Sequence, residues 1–394
     1  MKAVYFPLLA ATLWGATGGL APAGAEPIIF SGAVEGRLGY GSNPLLRNNS
    51  STASGFGQFS FQPVLSYLTE TGKTSLVGNF TREQYFRHYD HSQSITGSLT
   101  HDQRFSERLS GMAGVGYTRT DNPLLGAAFD SDVTDLLAVG QTTTRIYGDA
   151  SLQFQPTARD SFSVGGNVSH TTYGGGRTTL IPRDYDQYGG NVGYSHALNA
   201  RTKLGLQVSA TQMRSKYYPD TRSIQPAVTI SQVLNPIWTF NGSVGVIFQD
   251  VPGPFGHQSA SLGFNGALCG TYPRTTVCVS GGRQSVSSGI GGLRNTIQAS
   301  LTLNHKLTER SSISAAASYT DAHSVSTALV GDDPRIARSQ RVFLIRADYS
   351  RDITQRISAG FGARGQFRNI SRYGSTHGIA GTINIRAKIG RLTS

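Results

Sequence analysis

The sequence predicts an all-β fold: a single transmembrane antiparallel β-barrel of about 18 strands, with both termini in the periplasm. Alternation of apolar and polar residues runs from Phe30 to the C-terminus with no helical interlude. A turn phrase of one apolar residue, then Ser, Thr or Asn, then any residue and Arg recurs at 105–108, 198–201, 307–310 and 353–356. Such turns join consecutive antiparallel strands, and a sheet of this length must close on itself to remove its edges.

The strand candidates follow from this alternation, and an even count places both ends on the same side of the membrane. In chain order they are 29–41, 55–68, 73–86, 92–104, 108–120, 141–155, 159–173, 184–198, 202–214, 222–234, 236–249, 258–269, 275–286, 293–306, 311–322, 338–350, 355–369 and 376–389. The connections alternate between short turns, expected in the periplasm, and longer loops, expected outside the cell.

The two phases of each strand differ in chemistry. Ile357 and Phe361 take one phase of their strand, while Ser358 and Arg364 take the other. A soluble sandwich would show the same alternation, with the apolar phase facing a core. The strand number, the N-terminal segment described next and the absence of a second sheet favour the barrel, with lipid outside and a wet lumen inside.

The first 25 residues have the features of a secretory signal peptide. Lys2 supplies the positive region, an apolar stretch extends to Leu20, and Ala23-Gly24-Ala25 forms a small-residue cleavage site. The alternative, an N-terminal membrane anchor, is disfavoured because the apolar stretch is short and contains glycines. We therefore expect cleavage after Ala25 and a single domain, 26–394, in the bacterial outer membrane.

Several short motifs resemble the outer-membrane β-barrel porin families of Gram-negative bacteria. They are the first strand from Gly32 to Tyr40, the following Ser42-Asn43-Pro44, and the Leu-Thr-x-Arg turn at 307–310. Some members of these families are associated with exopolysaccharide synthesis and export. The resemblance implies an outer-membrane channel and, more specifically, an exopolysaccharide export porin.

The charge balance points to anionic partners. The net charge is +12, and only six of the 35 basic residues are lysines. Arginine binds carboxylate, sulfate and phosphate through paired hydrogen bonds and stays charged. Lipopolysaccharide outside the barrel and an acidic solute inside it both fit, whereas we expect no nucleic acid partner.

Seven arginines fall on the inward phase of their strands, and they are the candidate pore lining. They are Arg37, Arg145, Arg294, Arg346, Arg364, Arg368 and Arg386. One reading is a structural network that stiffens the wall through Glu35, Asp149 and Asp348. The other is an anion-selective lining, for which Arg364, Arg368, Arg386 and Arg294 are the better candidates because no acid shares their phase within the same strand. Tyr147 and the stretch from Tyr185 to Tyr188 are the aromatic residues considered for contact with sugars.

Cys269 and Cys278 fit opposite positions on one hairpin and predict a disulfide that closes a periplasmic turn. The sequence lacks common catalytic motifs, so we expect no enzyme, no cofactor and no metal site. The cluster His88-Tyr89-Asp90-His91 reads as a solvated loop more than a metal site, and Asp130, Asp132 and Asp135 lack the spacing of a known calcium loop.

The function expected from these features is a passive outer-membrane channel for a polar, anionic solute, most specifically an exopolysaccharide export porin. Its partners would be membrane lipid, lipopolysaccharide, the anionic solute or polysaccharide and periplasmic export components. The alternatives are a general or nutrient-uptake porin, and a non-conducting surface or adhesion barrel.

Overall fold

The computed structural model describes residues 28–46, 52–121, 142–174, 184–216, 219–251, 257–289, 292–324, 339–371 and 374–390. The predicted signal peptide lies outside these residues.

The chain forms one 18-stranded sheet, which confirms the predicted all-β antiparallel barrel. Its strands are β1 Ile28–Gly41, β2 Ser54–Leu68, β3 Gly72–Tyr85, β4 His91–Arg104, β5 Leu109–Thr120, β6 Thr142–Phe154, β7 Asp160–Gly174, β8 Tyr185–Asn199, β9 Thr202–Arg214, β10 Thr221–Val233, β11 Trp238–Val251, β12 His257–Thr271, β13 Thr275–Ser288, β14 Gly292–Thr308, β15 Ser311–Ser324, β16 Ser339–Asp352, β17 Ile357–Ile370 and β18 Gly374–Gly390.

The sheet closes because the first and last strands pair with each other. Glu35 of β1 lies opposite Arg386 of β18 on one side and opposite Ser60 of β2 on the other. Every strand therefore has two antiparallel neighbours, and the sheet has no terminal strand with a free edge along its whole length. A single closed sheet excludes the two-sheet sandwich that the alternation alone left open.

The outer surface of the cylinder is apolar. Leu206, Ile383 and Ile385 are each more than 60% exposed, and large apolar side chains share their phase on every strand. Apolar surface on this scale is unfavourable in water and matches the lipid-facing band of a membrane barrel. No helix in the described residues is long and apolar enough to cross a membrane.

Side-chain oxygens explain the recurring turn phrase. In the turn after β4, the backbone N–H groups of Arg108 and Leu109 donate to Ser106 Oγ at 3.2 and 3.1 Å. In the turn before β17, the backbone N–H groups of Arg356 and Ile357 donate in the same way to Thr354 Oγ1. The second position of the phrase must therefore carry a short polar side chain, which satisfies backbone donors that the tight turn leaves without strand partners.

The two ends of the cylinder differ. The start of β1, the end of β18 and the capped turns lie at one end, which we call the short-turn end. The longer connections lie at the other end, which we call the long-loop end. That the short-turn end faces the periplasm stays a prediction.

Candidate functional site

The strand register assigns each side chain to the lipid or the lumen. Arg346 lies opposite Arg364, and Arg364 lies opposite Ala380, so these positions share one phase around the wall. Following this phase from strand to strand places all seven predicted arginines on the lumen face, whereas the exposed apolar side chains lie on the outer face. The same register puts Tyr147 and Tyr185 inside but Tyr188 outside, where it is 43% exposed, so the stretch from Tyr185 to Tyr188 does not act as one unit.

Four neighbouring strands, β16, β17, β18 and β1, carry most of the lumen arginines. We call their lumen face the basic wall, and it comprises Arg346, Arg364, Arg368, Arg386 and Arg37. Arg37 donates to Glu35 at 2.8 Å, and Arg346 pairs with Asp348 at 3.0 Å. These are two of the pairs that the structural-network reading anticipated. Arg386 is exposed and lies 3.5 Å from Gln62 Oε1.

Arg364 has an acidic partner that the sequence did not reveal. Its guanidinium lies 3.5 Å from a carboxylate oxygen of Glu83 on β3 and 5.1 Å from the centre of the Phe56 ring. Glu83 and Phe56 are both fully buried. The expectation that β17 carries no acid on the phase of Arg364 concerned that strand alone, whereas Glu83 reaches Arg364 from across the seam of the barrel.

Phe56 owes its position to a glycine on the neighbouring strand. A Cβ atom at Gly39 would overlap the far end of the Phe56 ring, which lies directly against the β1 backbone there. Phe56 then packs with Leu45, Tyr85, Tyr89 and Ala380 in a buried cluster. This cluster fixes the surface against which Arg364 lies.

Arg368 is held by the segment that follows β1. It donates to the carbonyl oxygen of Leu46, and it is only 6% exposed. The Ser42 N–H donates to Ile379 O at 2.9 Å, which holds the start of the 42–46 segment against β18. Asn43-Pro44 follows the end of the first strand at Gly41, where proline cannot donate to the strand ladder.

The upper part of β13 separates from β12 and turns toward the lumen together with the top of β14, which stays paired with β15 as far as Arg294 opposite Ser324. Pairing between β12 and β13 runs from Thr271 opposite Thr276 to Phe264 opposite Arg283 and then ends, whereas β13 and β14 stay paired up to Ser288 opposite Gly292. We call residues 284–289 and 292–296 the inward hairpin. Gln249, on the lumen phase of β11, donates to Ser285 Oγ at 2.7 Å and to Asn295 Oδ1 at 2.9 Å.

Burial confirms the direction of the bend. Leu293 is 2% exposed although its phase would face lipid in a regular wall, and Ile247 on the lumen face of β11 is fully buried. A Cβ at Gly292 would lie 3.8 Å from Thr221 on β10, and Gly289 lies against the Tyr173 ring on β7. The inward hairpin thus reaches across part of the lumen near the long-loop end and narrows it.

This bend changes the surroundings of one predicted pore residue. Arg294 belongs to the inward hairpin, is fully buried and donates to Ala322 O at 2.9 Å. The structure therefore places its guanidinium inside packed protein, not on the water-facing surface. Sequence analysis missed the hairpin, although the outer phase, which carries Val277, Val279, Ile297 and Leu301 lower in the hairpin, becomes polar at Arg283, Ser285, Ser287 and Asn295.

The wall from β8 to β15 has different chemistry from the basic wall. Its described lumen-phase side chains include no acid, and their charges belong to Lys203 and Lys306 near the short turns and to buried Arg294. We call this surface the neutral wall. It borders a cavity of about 330 Å³ whose lining includes Gln207, Ser209, Gln225, Asn265, Gln298 and Ser300.

The remaining predicted lumen residues lie elsewhere. The Arg145 guanidinium lies 5.7 Å from the centre of the Tyr147 ring, and Asp149 borders Gly114 on β5. Cys269 and Cys278 lie opposite each other on β12 and β13, near the short-turn end, and are joined by a disulfide.

The candidate metal ligands do not assemble. His91 Nδ1 lies 2.9 Å from Asp90, and both side chains are exposed to solvent. Within the described ranges, no group of three or more His, Cys, Asp or Glu side chains could hold a metal ion. Asp130, Asp132 and Asp135 lie outside these ranges.

A closed 18-stranded barrel with an apolar exterior and a polar, charged lumen has the architecture of a bacterial outer-membrane β-barrel. No family model matches the sequence, and no curated protein matches it. Among solved structures, OccK2 (OpdF) of Pseudomonas aeruginosa in complex with glucuronate is 12% identical, with a TM-score of 0.47 over 93% of this chain and 99% of that chain.

Two further porin structures give similar values. A BenF-like porin from Pseudomonas fluorescens Pf-5 is 10% identical, with a TM-score of 0.47 over 92% of this chain and 99% of that chain. OccAB3 of Acinetobacter baumannii is 10% identical, with a TM-score of 0.46 over 92% of this chain and 99% of that chain. These likenesses concern the fold, and the function must be argued from this chain's own residues.

Proposed function

We propose that this protein is an outer-membrane channel that conducts a polar, anionic solute passively. The basic wall is the observation that carries the proposal. Arg37, Arg346 and Arg364 keep about a fifth to a half of their side-chain surface exposed, and Arg386 is exposed as well. A contact between one such arginine and a solute anion contributes about 1 kcal/mol or less when water and salt screen it. Several arginines along one path nevertheless bias which ions pass.

The neutral wall supports a solute that carries hydroxyl groups. Amide and hydroxyl side chains both donate and accept hydrogen bonds, and so do the hydroxyls of a sugar. On this wall the hydroxyl oxygens of Ser280 and Ser300 lie 2.6 Å apart, and the hydrogen bond between them fixes the position of both hydroxyl groups. A sugar acid could place its carboxylate toward the basic wall and its hydroxyls toward the neutral wall.

Export of an acidic exopolysaccharide is the most specific version of this proposal. It rests on the resemblance of the first strand and the Leu-Thr-x-Arg turn to porin families associated with exopolysaccharide export, together with the arginine surplus. Periplasmic export components would then deliver the polymer to the short-turn end. A mutant lacking the protein should retain the polymer in the periplasm, and normal secretion would contradict the export role.

Uptake of a small anionic solute is the second candidate. The inward hairpin favours it, because a lumen narrowed by packed residues such as Leu293 suits a small solute better than a hydrated polymer. Liposome swelling with monosaccharide acids and with acidic oligosaccharides of increasing length separates the two functions. Entry of the small solutes alone supports uptake, and entry of the oligosaccharides supports export.

Ion selectivity of the purified full-length protein in planar bilayers tests the channel proposal itself. The reversal potential in a salt gradient should report anion preference, and Arg364→Gln should reduce it. Arg119→Gln is the matched control, because Arg119 is exposed on the outer phase opposite Ile95. Absence of current, or an equal change in both variants, would contradict an arginine-lined anion path.

A further inference from the structure

The inward hairpin leaves part of its neighbouring strand without a partner. From Gln258 to Gly263, β12 remains paired with β11, but among the described residues it has no β13 partner. One row of backbone donors and acceptors therefore lies beside a gap in the wall. Unpaired backbone groups next to lipid are costly, so this edge gains free energy if a strand pairs with it.

The strand that could fill the gap is the inward hairpin itself. The observed pairing places Phe264 opposite Arg283, and the same register continued upward places Ser261 opposite Val286 and Ser259 opposite Ser288. No insertion or register shift is needed. Pairing of β13 with β12 along this stretch would complete the cylinder and withdraw the inward hairpin from the lumen.

Opposing interactions hold the hairpin inside. Gln249 makes its two hydrogen bonds to Ser285 and Asn295, and Leu293 is buried. These hydrogen bonds and the burial of the leucine side chain favour the inward position. The inward position and the wall position thus compete for the same residues, which is the physical basis of a two-position element.

We propose that the inward hairpin is a gate that moves between the position seen in this structure, which narrows the lumen, and a wall position in which β13 pairs with β12 up to Ser288. The inference rests on the proposed channel function for its consequence, because withdrawal of the hairpin opens the path. Its structural part, the second pairing register, is independent of which solute passes.

The native disulfide provides a geometric guide for testing the second register. Cys269 and Cys278 have Cα atoms 4.1 Å apart, which marks them as a close, non-hydrogen-bonded pair. Pair types alternate along an antiparallel ladder, so Ser261 and Val286, eight positions further on each strand, would form a pair of the same type on the same face. A disulfide between these positions requires the wall position.

The experiment uses Ser261→Cys/Val286→Cys in the full-length protein, with the native disulfide retained. Ala267→Cys/Ser280→Cys is the matched control, because these residues are already paired in the present structure. Both proteins are oxidised, the new disulfides are identified by peptide mass mapping, and single-channel conductance is recorded before and after reduction. Wild-type protein with reductant controls for opening of the native disulfide.

We expect both disulfides to form, and the 261–286 disulfide alone to raise conductance by roughly twofold or more, because conductance follows the open cross-section. Reduction should restore the smaller value. The gate is overturned if the control disulfide forms while the 261–286 disulfide does not, or if the 261–286 disulfide forms without a change in conductance. Since neither result depends on ion selectivity, failure of the gate is distinguishable from failure of the anion channel.

Discussion

Gln249 and Ser285 are joined by a hydrogen bond of 2.7 Å although β11 and β13 are not neighbours in the sheet. The bond passes in front of β12 and holds the inward hairpin against the inner surface of the wall. Gln249 on β11 thus holds the inward hairpin, which narrows the lumen, although the hairpin belongs to strands that are not its neighbours. The first prediction concerns this contact.

Gln249→Ala should favour a wider channel. It removes two hydrogen bonds that together contribute about 2 kcal/mol to the inward position, which corresponds to more than a tenfold change in the ratio of two positions. Single-channel recordings should show a larger or more frequent high-conductance level. Gln207→Ala, also on the lumen phase but outside the hairpin contact, should leave the levels unchanged. Identical recordings for both variants would show that Gln249 does not hold the constriction.

Glu83→Gln should increase anion preference. Glu83 is the buried acid 3.5 Å from Arg364, so its neutralisation leaves more of the arginine charge effective in the lumen. The reversal potential should move in the direction opposite to that caused by Arg364→Gln. Glu70→Gln, in the exposed turn between β2 and β3, controls for a general change in charge. A shift in the same direction as Arg364→Gln would contradict this arrangement.

Gly39→Ala should destabilise the barrel. The added Cβ would overlap the Phe56 ring, which is buried and cannot move without disturbing Leu45 and Tyr85, and overpacking of this kind costs about 1–3 kcal/mol. Urea unfolding in detergent micelles measures the loss. Gly36→Ala is the control, because a Cβ there meets no atom within 4 Å.

A second substitution checks the cause of that effect. Phe56→Leu shortens the side chain that the new methyl group would meet, so it should recover part of the stability lost in Gly39→Ala. If the double variant is less stable by the sum of both single effects, the two residues do not interact as described.

Thr354→Ala should weaken the turn between β16 and β17. The hydroxyl of Thr354 accepts bonds from the backbone of Arg356 and Ile357 at 3.2 and 3.0 Å, and their loss should cost about 1 kcal/mol. Unfolding in urea again supplies the measurement. Thr354→Ser keeps the oxygen and should behave like the wild type; equal destabilisation by Ser and Ala would assign the effect to the methyl group.

Local pattern was sufficient to predict the wall. The alternation within a single strand identifies its two faces: Ile357 and Phe361 mark the lipid face, and Ser358 and Arg364 mark the lumen face. Each short turn likewise carries its own capping residue. The strand count and the lumen phase of the arginines follow from such information. The error at Tyr188 has the same origin, because neighbouring residues in a strand face opposite sides.

Contacts between distant strands could not be predicted in this way. Glu83 and Arg364 are 281 residues apart in sequence and meet only because the cylinder closes between them. The inward hairpin is likewise a tertiary feature, since it depends on Gln249 and on the pocket for Leu293. Its one local sign was the change of the outer phase from apolar residues such as Val279 and Ile297 to polar ones such as Ser285 and Asn295.

Closure of the cylinder has a consequence for assembly. Among the described residues, β1 with β18 is the one pairing between strands that are not consecutive in the chain. Every other pair joins consecutive strands, and the turn between them sets its register. The pairing of β1 with β18 joins the first and last strands, so it has the largest loop-closure entropy cost. The seam therefore forms last, and until then the exposed edge of β1 must be shielded from pairing with other chains.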